Sequence, residues 1–242
     1  MIRWDEESIR FMKDSAEHLN VSEVQAEHIL PYLPPDAEVC EGGCGLGYLS
    51  LALSSRVRHV TAVDQSSGAL AVLQQKIRER EISNITAVAA DIFSVHPRRP
   101  YDAMVFCRFG AVEQILKLAA EQCAGTMVVL TLANSCHRFT LTDKAVRRRE
   151  WFSKRKLDGL KIPYRGEQFE VETGQPLRSM EDAVRFFQRY DQSGEAVTVE
   201  QVRSRLTSDP QGIYPLFSPM KSDFRLLAFQ AEDARRALSD FL

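Results

Sequence analysis

Residues 39–47, Val-Cys-Glu-Gly-Gly-Cys-Gly-Leu-Gly, combine a carboxylate with a glycine-rich turn. Glu41 ends an apolar run, and a helix-like run begins at Tyr48. Between them stand three alternating glycines: Gly43, Gly45 and Gly47. Glycine allows positive φ and leaves no Cβ between the backbone and a ligand. A helix that begins directly after such a turn points free N–H groups at whatever lies above it. The pattern is typical of the nucleotide-binding corner of an α/β sheet.

A second carboxylate follows at the distance that a ribose-binding acid requires. The β-branched run from His59 ends in Asp64, 21 residues after Gly43, and an acid near this position binds the ribose hydroxyls of a nucleotide. A third run, from Ile85, ends in Asp91. Either acid alone could instead cap the helix after its strand, since aspartate is a favoured cap. The two acids together, at this spacing, favour a binding role.

The spacing of the glycines separates two classes of ligand. A dinucleotide-binding turn reads G-x-G-x-x-G, which would need a third glycine where Tyr48 stands. The chain reads G-x-G-x-G instead, with Glu41 two residues upstream. This motif resembles the first motif of the class I S-adenosylmethionine-dependent methyltransferases. The run ending in Asp91-Ile92-Phe93 and the strand at Tyr101–Cys107 resemble later motifs of that family, and the four motifs cover residues 37–133.

The resemblance implies S-adenosyl-L-methionine as the methyl donor and S-adenosyl-L-homocysteine as the product. It places the methionine end of the cofactor at the turn after Glu41, the ribose at Asp64 and the adenine amino group at Asp91, with the next residue packed on the adenine ring. We therefore expect ten cofactor-binding residues: Glu41, Gly43, Cys44, Gly45, Gly47, Asp64, Gln65, Asp91, Ile92 and Cys107.

Strand and helix patterns alternate along this part of the chain. Strands are predicted at 38–41, 59–63, 85–89, 102–107 and 126–132, and helices at 46–54, 66–80 and 111–122. This rhythm predicts an α/β fold with a doubly wound, mostly parallel sheet. The resemblance implies seven strands, the last two, at 167–172 and 223–229, closing the sheet with one antiparallel. Ligands of such sheets bind at the carboxyl ends of the strands, where the candidate acids lie.

Two regions are predicted along the chain. Residues 1–35 contain two helical patterns and are predicted to form an N-terminal helical cap, which either covers the cofactor or is a plain packing pair. Residues 36–242 are predicted to form the Rossmann-like methyltransferase domain, with insertions at about 134–167 and 175–222. The second insertion is expected to pack near the active site.

The acceptor side is predicted from residues after the fourth and fifth strands. Between residues 138 and 165 there are ten lysines and arginines against three acids, in a chain of net charge −2. This segment could cover an anionic substrate, bind RNA with a stacking aromatic, or be a solvated helix. Three residues are candidates for acceptor binding: Arg108, His137 and Trp151. No catalytic base is assigned, because the sulfonium of the cofactor already supplies a good leaving group.

The end of the fourth strand favours a small-molecule acceptor. Phe106–Gly110 lacks the Asn/Asp-Pro-Pro-Tyr/Phe run of many methyltransferases that act on amino groups of nucleic acids and proteins. Three alternatives stay open: an RNA methyltransferase that uses the basic 138–165 segment, an NAD(P) oxidoreductase, and a cofactor-binding protein without catalysis.

Composition predicts an ordinary cytoplasmic enzyme. The 242 residues are 44% hydrophobic and 26% charged, as in soluble domains, and the small net charge gives no overall attraction to nucleic acid or membrane. The five cysteines form no C-x-x-C pair, so reduced thiols and no metal site are expected.

Overall fold

The computed structural model describes residues 4–133, 139–141, 154–191 and 195–239. His137, Trp151 and five of the ten cations of the basic 138–165 segment lie outside these residues, so the interpretations placed on them stay predictions. Nine strands lie within the described residues: β1 (Glu38–Gly42), β2 (His59–Asp64), β3 (Ile85–Ala89), β4 (Tyr101–Cys107), β5 (Cys123–Leu132), β6 (Arg165–Glu172), β7 (Gln175–Leu177), β8 (Leu216–Ser218) and β9 (Lys221–Gln230).

Seven of these strands form one sheet in the order β3-β2-β1-β4-β5-β9-β6. The first five are parallel, whereas β9 runs antiparallel to both β5 and β6. The predicted α/β fold, with its mostly parallel seven-stranded sheet and antiparallel closing strand, is confirmed. The strand order reverses between β1 and β4, and a crevice for a ligand opens at such a reversal.

Nine α-helices cover or flank the sheet in the described residues: α1 (Glu6–His18), α2 (Val21–Ile29), α3 (Tyr48–Ser54), α4 (Ser67–Glu79), α5 (Val112–Gln122), α6 (Lys154–Gly159), α7 (Met180–Tyr190), α8 (Val199–Arg203) and α9 (Ala231–Ser239). Helix α3 begins two residues later than the pattern predicts, because Gly47 has a left-handed φ of 76°. Helix α9 was not predicted, although its alanines at 231, 234 and 237 form a buried stripe.

The sheet separates two hydrophobic cores. Strands β4 and β5 are buried on both faces along most of their length, which explains their near-continuous apolar sequence. One core packs α2, α3 and α4 against the sheet, and the other packs α5 and α9 against the opposite face. This rigid centre fixes the carboxyl ends of β1, β2 and β4 relative to one another.

A third, smaller core joins α1 to the insertion between β6 and β9. Phe11 packs edge-on against Phe186 of α7, with ring centroids 5.1 Å apart. Arg10 donates to Asp182 across 2.5 Å, and Arg178 donates to Asp14 across 2.7 Å. We call α1 together with α7, α8 and the two-stranded antiparallel sheet of β7 and β8 the cap. The sequence predicted α1 and α7 as helices but showed neither their contact nor the small sheet.

The cap is also tied to the sheet domain through one residue of α1. Glu17 accepts hydrogen bonds from the hydroxyl of Tyr48 at 3.0 Å and from Nζ of Lys76 at 2.7 Å. Tyr48 begins α3, directly after the glycine-rich turn, and Lys76 lies in α4. Helix α1 therefore bridges the insertion and the domain that carries the motifs.

Candidate functional site

A cavity of about 540 Å³ opens at the carboxyl ends of β1, β2 and β4. Its volume lies within the range of small-molecule sites. Nine of the ten expected cofactor-binding residues line it: Glu41, Gly43, Cys44, Gly45, Gly47, Asp64, Gln65, Ile92 and Cys107. The sheet topology thus brings residues from three strands to one place, as the sequence predicted.

The glycine-rich turn forms the floor of this cavity. All three of its alternating glycines have positive φ, between 56° and 76°. The backbone N–H groups of Gly43 and Cys44 both donate to the carbonyl of Val63, at 2.8 and 3.0 Å, so the turn is tied to β2. A Cβ on Gly43 would lie 2.3 Å from the ring of Phe109. The turn therefore needs glycine both for its backbone conformation and for the close approach of neighbouring groups.

Asp64 is held in a fixed orientation at the end of β2. Its Oδ2 accepts from the N–H of Gly45 and its Oδ1 accepts from the N–H of Ser66, both at 2.8 Å. A carboxylate oxygen can accept more than one hydrogen bond, so each oxygen keeps capacity for a ligand hydroxyl. The same contacts couple the carboxylate to the glycine-rich turn, which the sequence did not show.

Glu41 is a buried acid at the bottom of the cavity. Its carboxylate is 2% exposed and accepts a short hydrogen bond from the hydroxyl of Ser50 in α3. Burial raises the pKa of Glu41 to about 7, against a smaller lowering by Ser50. Such a group can change its charge near neutral pH when a cationic ligand approaches. The expected role at the methionine end of the cofactor stays a prediction.

The acidity of Glu41 makes the stability of the free protein depend on pH. Its folded pKa of about 7 lies above its ordinary value of 4.5. The stability that the protonated Glu41 contributes is therefore fully present below pH 4.5 and is lost as the pH rises through about 7. Since Ser50 can still donate to an amide oxygen, Glu41→Gln should raise the free energy of unfolding at pH 8 by at most about 3 kcal/mol and leave it little changed at pH 5. Urea denaturation at both pH values measures this, and an equal effect at the two would contradict it.

The two residues expected at the adenine end lie in different surroundings. Ile92 is buried and lines the cavity, and its carbonyl accepts from the side chain of Gln122 at 2.9 Å. Asp91 is exposed, does not line the cavity, and accepts from the N–H of Phe93 at 3.1 Å. Asp91 thus caps the short helical turn at Ile92–Ser94, and its contact with adenine stays a prediction.

The other side of the cavity is lined by the cap, by α2 and by β9. Gln25 of α2 is 5% exposed and lines the cavity, and its side chain makes no hydrogen bond to any described residue. Gln175 is held by donating to the carbonyls of Phe11 and Pro176, at 3.1 and 3.0 Å. Apolar side chains complete this side: Met12, Ala16, Val21, Leu132, Phe139, Met220 and Phe224. This half offers neutral polar groups and one acid, Asp223 of β9, in apolar surroundings.

Arg108 lies at the mouth of the cavity, directly after β4. It is exposed and has a φ of 55°, a left-handed conformation that is costly for a non-glycine residue. Its N–H donates to the carbonyl of Leu130 at 2.7 Å. Next to it, burial raises the pKa of the Cys107 thiol to about 11, so this thiol stays protonated and is a poor nucleophile at neutral pH.

Trp4 is the main lining residue that sequence reasoning missed. It stands before α1, and its indole lies over Gly45. A lone tryptophan near a chain end gives no local pattern that points to a site 41 residues further on. Only the docking of α1 places it there.

Two classes of site are not supported by the described residues. Among them, no group of three or more histidine, cysteine or acidic side chains is arranged to hold a metal ion. None of their helices has the length and apolar character needed to cross a membrane.

Comparison with known proteins supports the interpretation of the motifs. Residues 39–128, a little over a third of the chain, match a family model described as a methyltransferase domain. These residues therefore form a methyltransferase domain, which agrees with the predicted resemblance to the class I S-adenosylmethionine-dependent methyltransferases. The match runs from β1 to the middle of β5, and so includes the glycine-rich turn and Asp64. The predicted family and enzyme class are thereby confirmed, while the acceptor is not identified.

Solved structures agree on the fold. A Bacillus halodurans C-125 protein assigned as a methyltransferase is 13% identical, with a TM-score of 0.54, and the alignment covers 86% of this chain and 98% of that one. The YcgJ protein of Bacillus subtilis is 14% identical, with a TM-score of 0.50 and coverages of 88% and 98%. Coclaurine N-methyltransferase, solved with N-methylheliamine and S-adenosylhomocysteine, is 12% identical, with a TM-score of 0.50 and coverages of 86% and 71%. At these identities the likeness concerns the fold alone. No curated protein sequence matched the chain.

Proposed function

We propose that this methyltransferase binds S-adenosylmethionine on the glycine-rich turn and transfers its methyl group to a small-molecule acceptor under the cap. One observation carries the proposal. A single cavity is lined on one side by the motif residues and on the other by α1, α2 and β9. Donor and acceptor would therefore meet in one enclosed space.

The residues on the motif side fit the proposed cofactor. The turn offers backbone without side chains, Glu41 offers a carboxyl group for an ammonium, and Asp64 keeps acceptor capacity for two hydroxyls. When bound, the cofactor supplies an activated methyl group on a sulfonium. The protein then has to hold both partners in line and exclude water.

The acceptor side favours a small molecule over a polyanion. Its described residues include Gln25, Gln175 and the acid Asp223 among apolar side chains, whereas Arg108 is the cationic residue that lines the cavity there. A groove for RNA would present several cations along a backbone path. Half of the cations of the candidate basic segment lie outside the described residues, and the described ones do not line the cavity, so the proposal rests on the cavity.

Turnover with a panel of acceptors tests the proposal. The purified chain is incubated with S-adenosylmethionine and either small amines and phenols or total RNA, and S-adenosylhomocysteine is quantified. We expect product formation above the acceptor-free rate with at least one small molecule and none with RNA. RNA-dependent turnover alone would favour the basic-segment alternative. Binding of the cofactor without turnover on any acceptor would favour a cofactor-binding protein without catalysis.

A further inference from the structure

Trp4 reaches the glycine-rich turn from outside the motif-bearing domain. A Cβ on Gly45 would lie 2.9 Å from Cζ2 of the indole and 3.5 Å from Cη2. The six-membered part of the indole therefore packs directly on the Gly45 backbone. Trp4 also lines the cavity together with Glu41 and Asp64. The indole thus forms one wall of the cavity at Gly45, where the missing side chain lets the ring approach the backbone.

The position of the indole is fixed by the residue that follows it. Asp5 caps α1 by accepting from the N–H of Ser8 at 2.9 Å, and it also accepts from Nη2 of Arg189 in α7 at 2.5 Å. The hydrogen bond from Ser8 and then that from Arg189 lower the pKa of Asp5 to about 2, so the pair is ionised at neutral pH. Both α1 and α7 therefore hold Asp5, the residue that follows Trp4.

The surroundings of the indole favour a cationic ligand. Two acids, Glu41 and Asp64, line the same part of the cavity. The indole N–H makes no hydrogen bond to any described residue, so the ring is not held in a polar network. The face of a tryptophan attracts cations, most strongly when the cation has lost its water.

We propose that Trp4 is a specificity residue that favours the cationic form of the cofactor over its neutral-sulfur product. The inference rests on the proposed function, which places the methionine half of the cofactor at the glycine-rich turn, beside the indole. The sulfonium of S-adenosylmethionine is positive, whereas the thioether of S-adenosylhomocysteine is neutral. An indole wall beside that half binds the first more tightly and so helps the spent product to leave.

Calorimetry on the full chain tests this with three named ligands. These are S-adenosylmethionine, sinefungin (which carries an ammonium in place of the sulfonium) and S-adenosylhomocysteine. Trp4→Leu should raise Kd for the two cationic ligands roughly 5–20-fold and change Kd for S-adenosylhomocysteine less than about twofold. Trp4→Phe keeps a weaker aromatic face and should fall between wild type and Trp4→Leu. Circular dichroism confirms that both variants are folded.

The outcomes separate this proposal from the proposed function. Equal losses for all three ligands, or no loss for any, would overturn the selectivity of Trp4 while leaving cofactor binding intact. If the wild-type chain binds none of the three, the proposed function fails and this proposal fails with it. A second readout is fluorescence: the chain has two tryptophans, so Trp151→Phe leaves Trp4 as the single indole emitter. Its emission should change on addition of sinefungin.

Discussion

Replacing Asp64 with alanine is expected to weaken binding of S-adenosylhomocysteine by about 1.5–3 kcal/mol, or roughly 10–150-fold. The reason is the loss of charge-assisted hydrogen bonds to two ribose hydroxyls. The structure adds a second cause, because the carboxylate also accepts from the N–H groups of Gly45 and Ser66. Calorimetry measures the affinity, and urea denaturation measures any loss of stability.

Asp102 provides a matched control for that experiment. Like Asp64, it accepts a hydrogen bond from a backbone N–H, in this case that of Glu38 at 2.8 Å. However, it lies near the amino end of β4, whereas the cavity lies at the carboxyl end, and it does not line the cavity. Asp102→Ala should cost some stability and leave cofactor affinity unchanged. If Asp64→Ala binds as tightly as wild type, or if both variants lose affinity equally, the assignment of Asp64 is wrong.

Gly45→Ala is expected to weaken cofactor affinity roughly 5–100-fold. A methyl group there would meet the indole of Trp4 at 2.9 Å and would push the ring toward the space that the cofactor needs. The residue also has a φ of 56°, so any side chain strains the backbone by about 1–3 kcal/mol. Valine is less suitable than alanine for this test because a β-branched residue tolerates this conformation least.

Gly212 separates strain from steric blocking. Its φ is 68°, and no atom lies within 4 Å of a Cβ built there. Gly212→Ala should therefore lose a similar amount of stability in urea and bind S-adenosylhomocysteine as wild type does. If Gly45→Ala also binds normally, the glycine-rich turn is not the cofactor corner.

The sequence predicted the parts of the site that are local in the chain. The turn from Glu41 to Gly47 can be recognised in the sequence because three positions within a few residues have positive φ and therefore favour glycine. Asp64 follows at a fixed distance because one crossover helix joins two adjacent parallel strands. These relations are set by short-range geometry, so one sequence suffices to find them.

The contacts that join α1 to α7 in the cap could not be predicted because they span the chain. The Arg10–Asp182 pair joins residues 172 positions apart, and the sequence around neither residue indicates which residue it contacts. Trp4 reaches the site only through that docking. The sequence predicts Glu41 at the methionine end of the cofactor, but its hydrogen bond to Ser50 and its raised pKa depend on burial that follows from packing. Asp91 takes the helix-capping role that the sequence offers as the alternative to a ligand contact.

A crystal structure of the chain with S-adenosylhomocysteine tests the central claim most directly. We expect the ligand in the cavity above the glycine-rich turn, with both ribose hydroxyls within about 3 Å of the Asp64 carboxylate, the amino-acid end between Glu41 and Trp4, and the sulfur facing the space under the cap. A ligand bound elsewhere, or one whose ribose does not reach Asp64, would contradict the account.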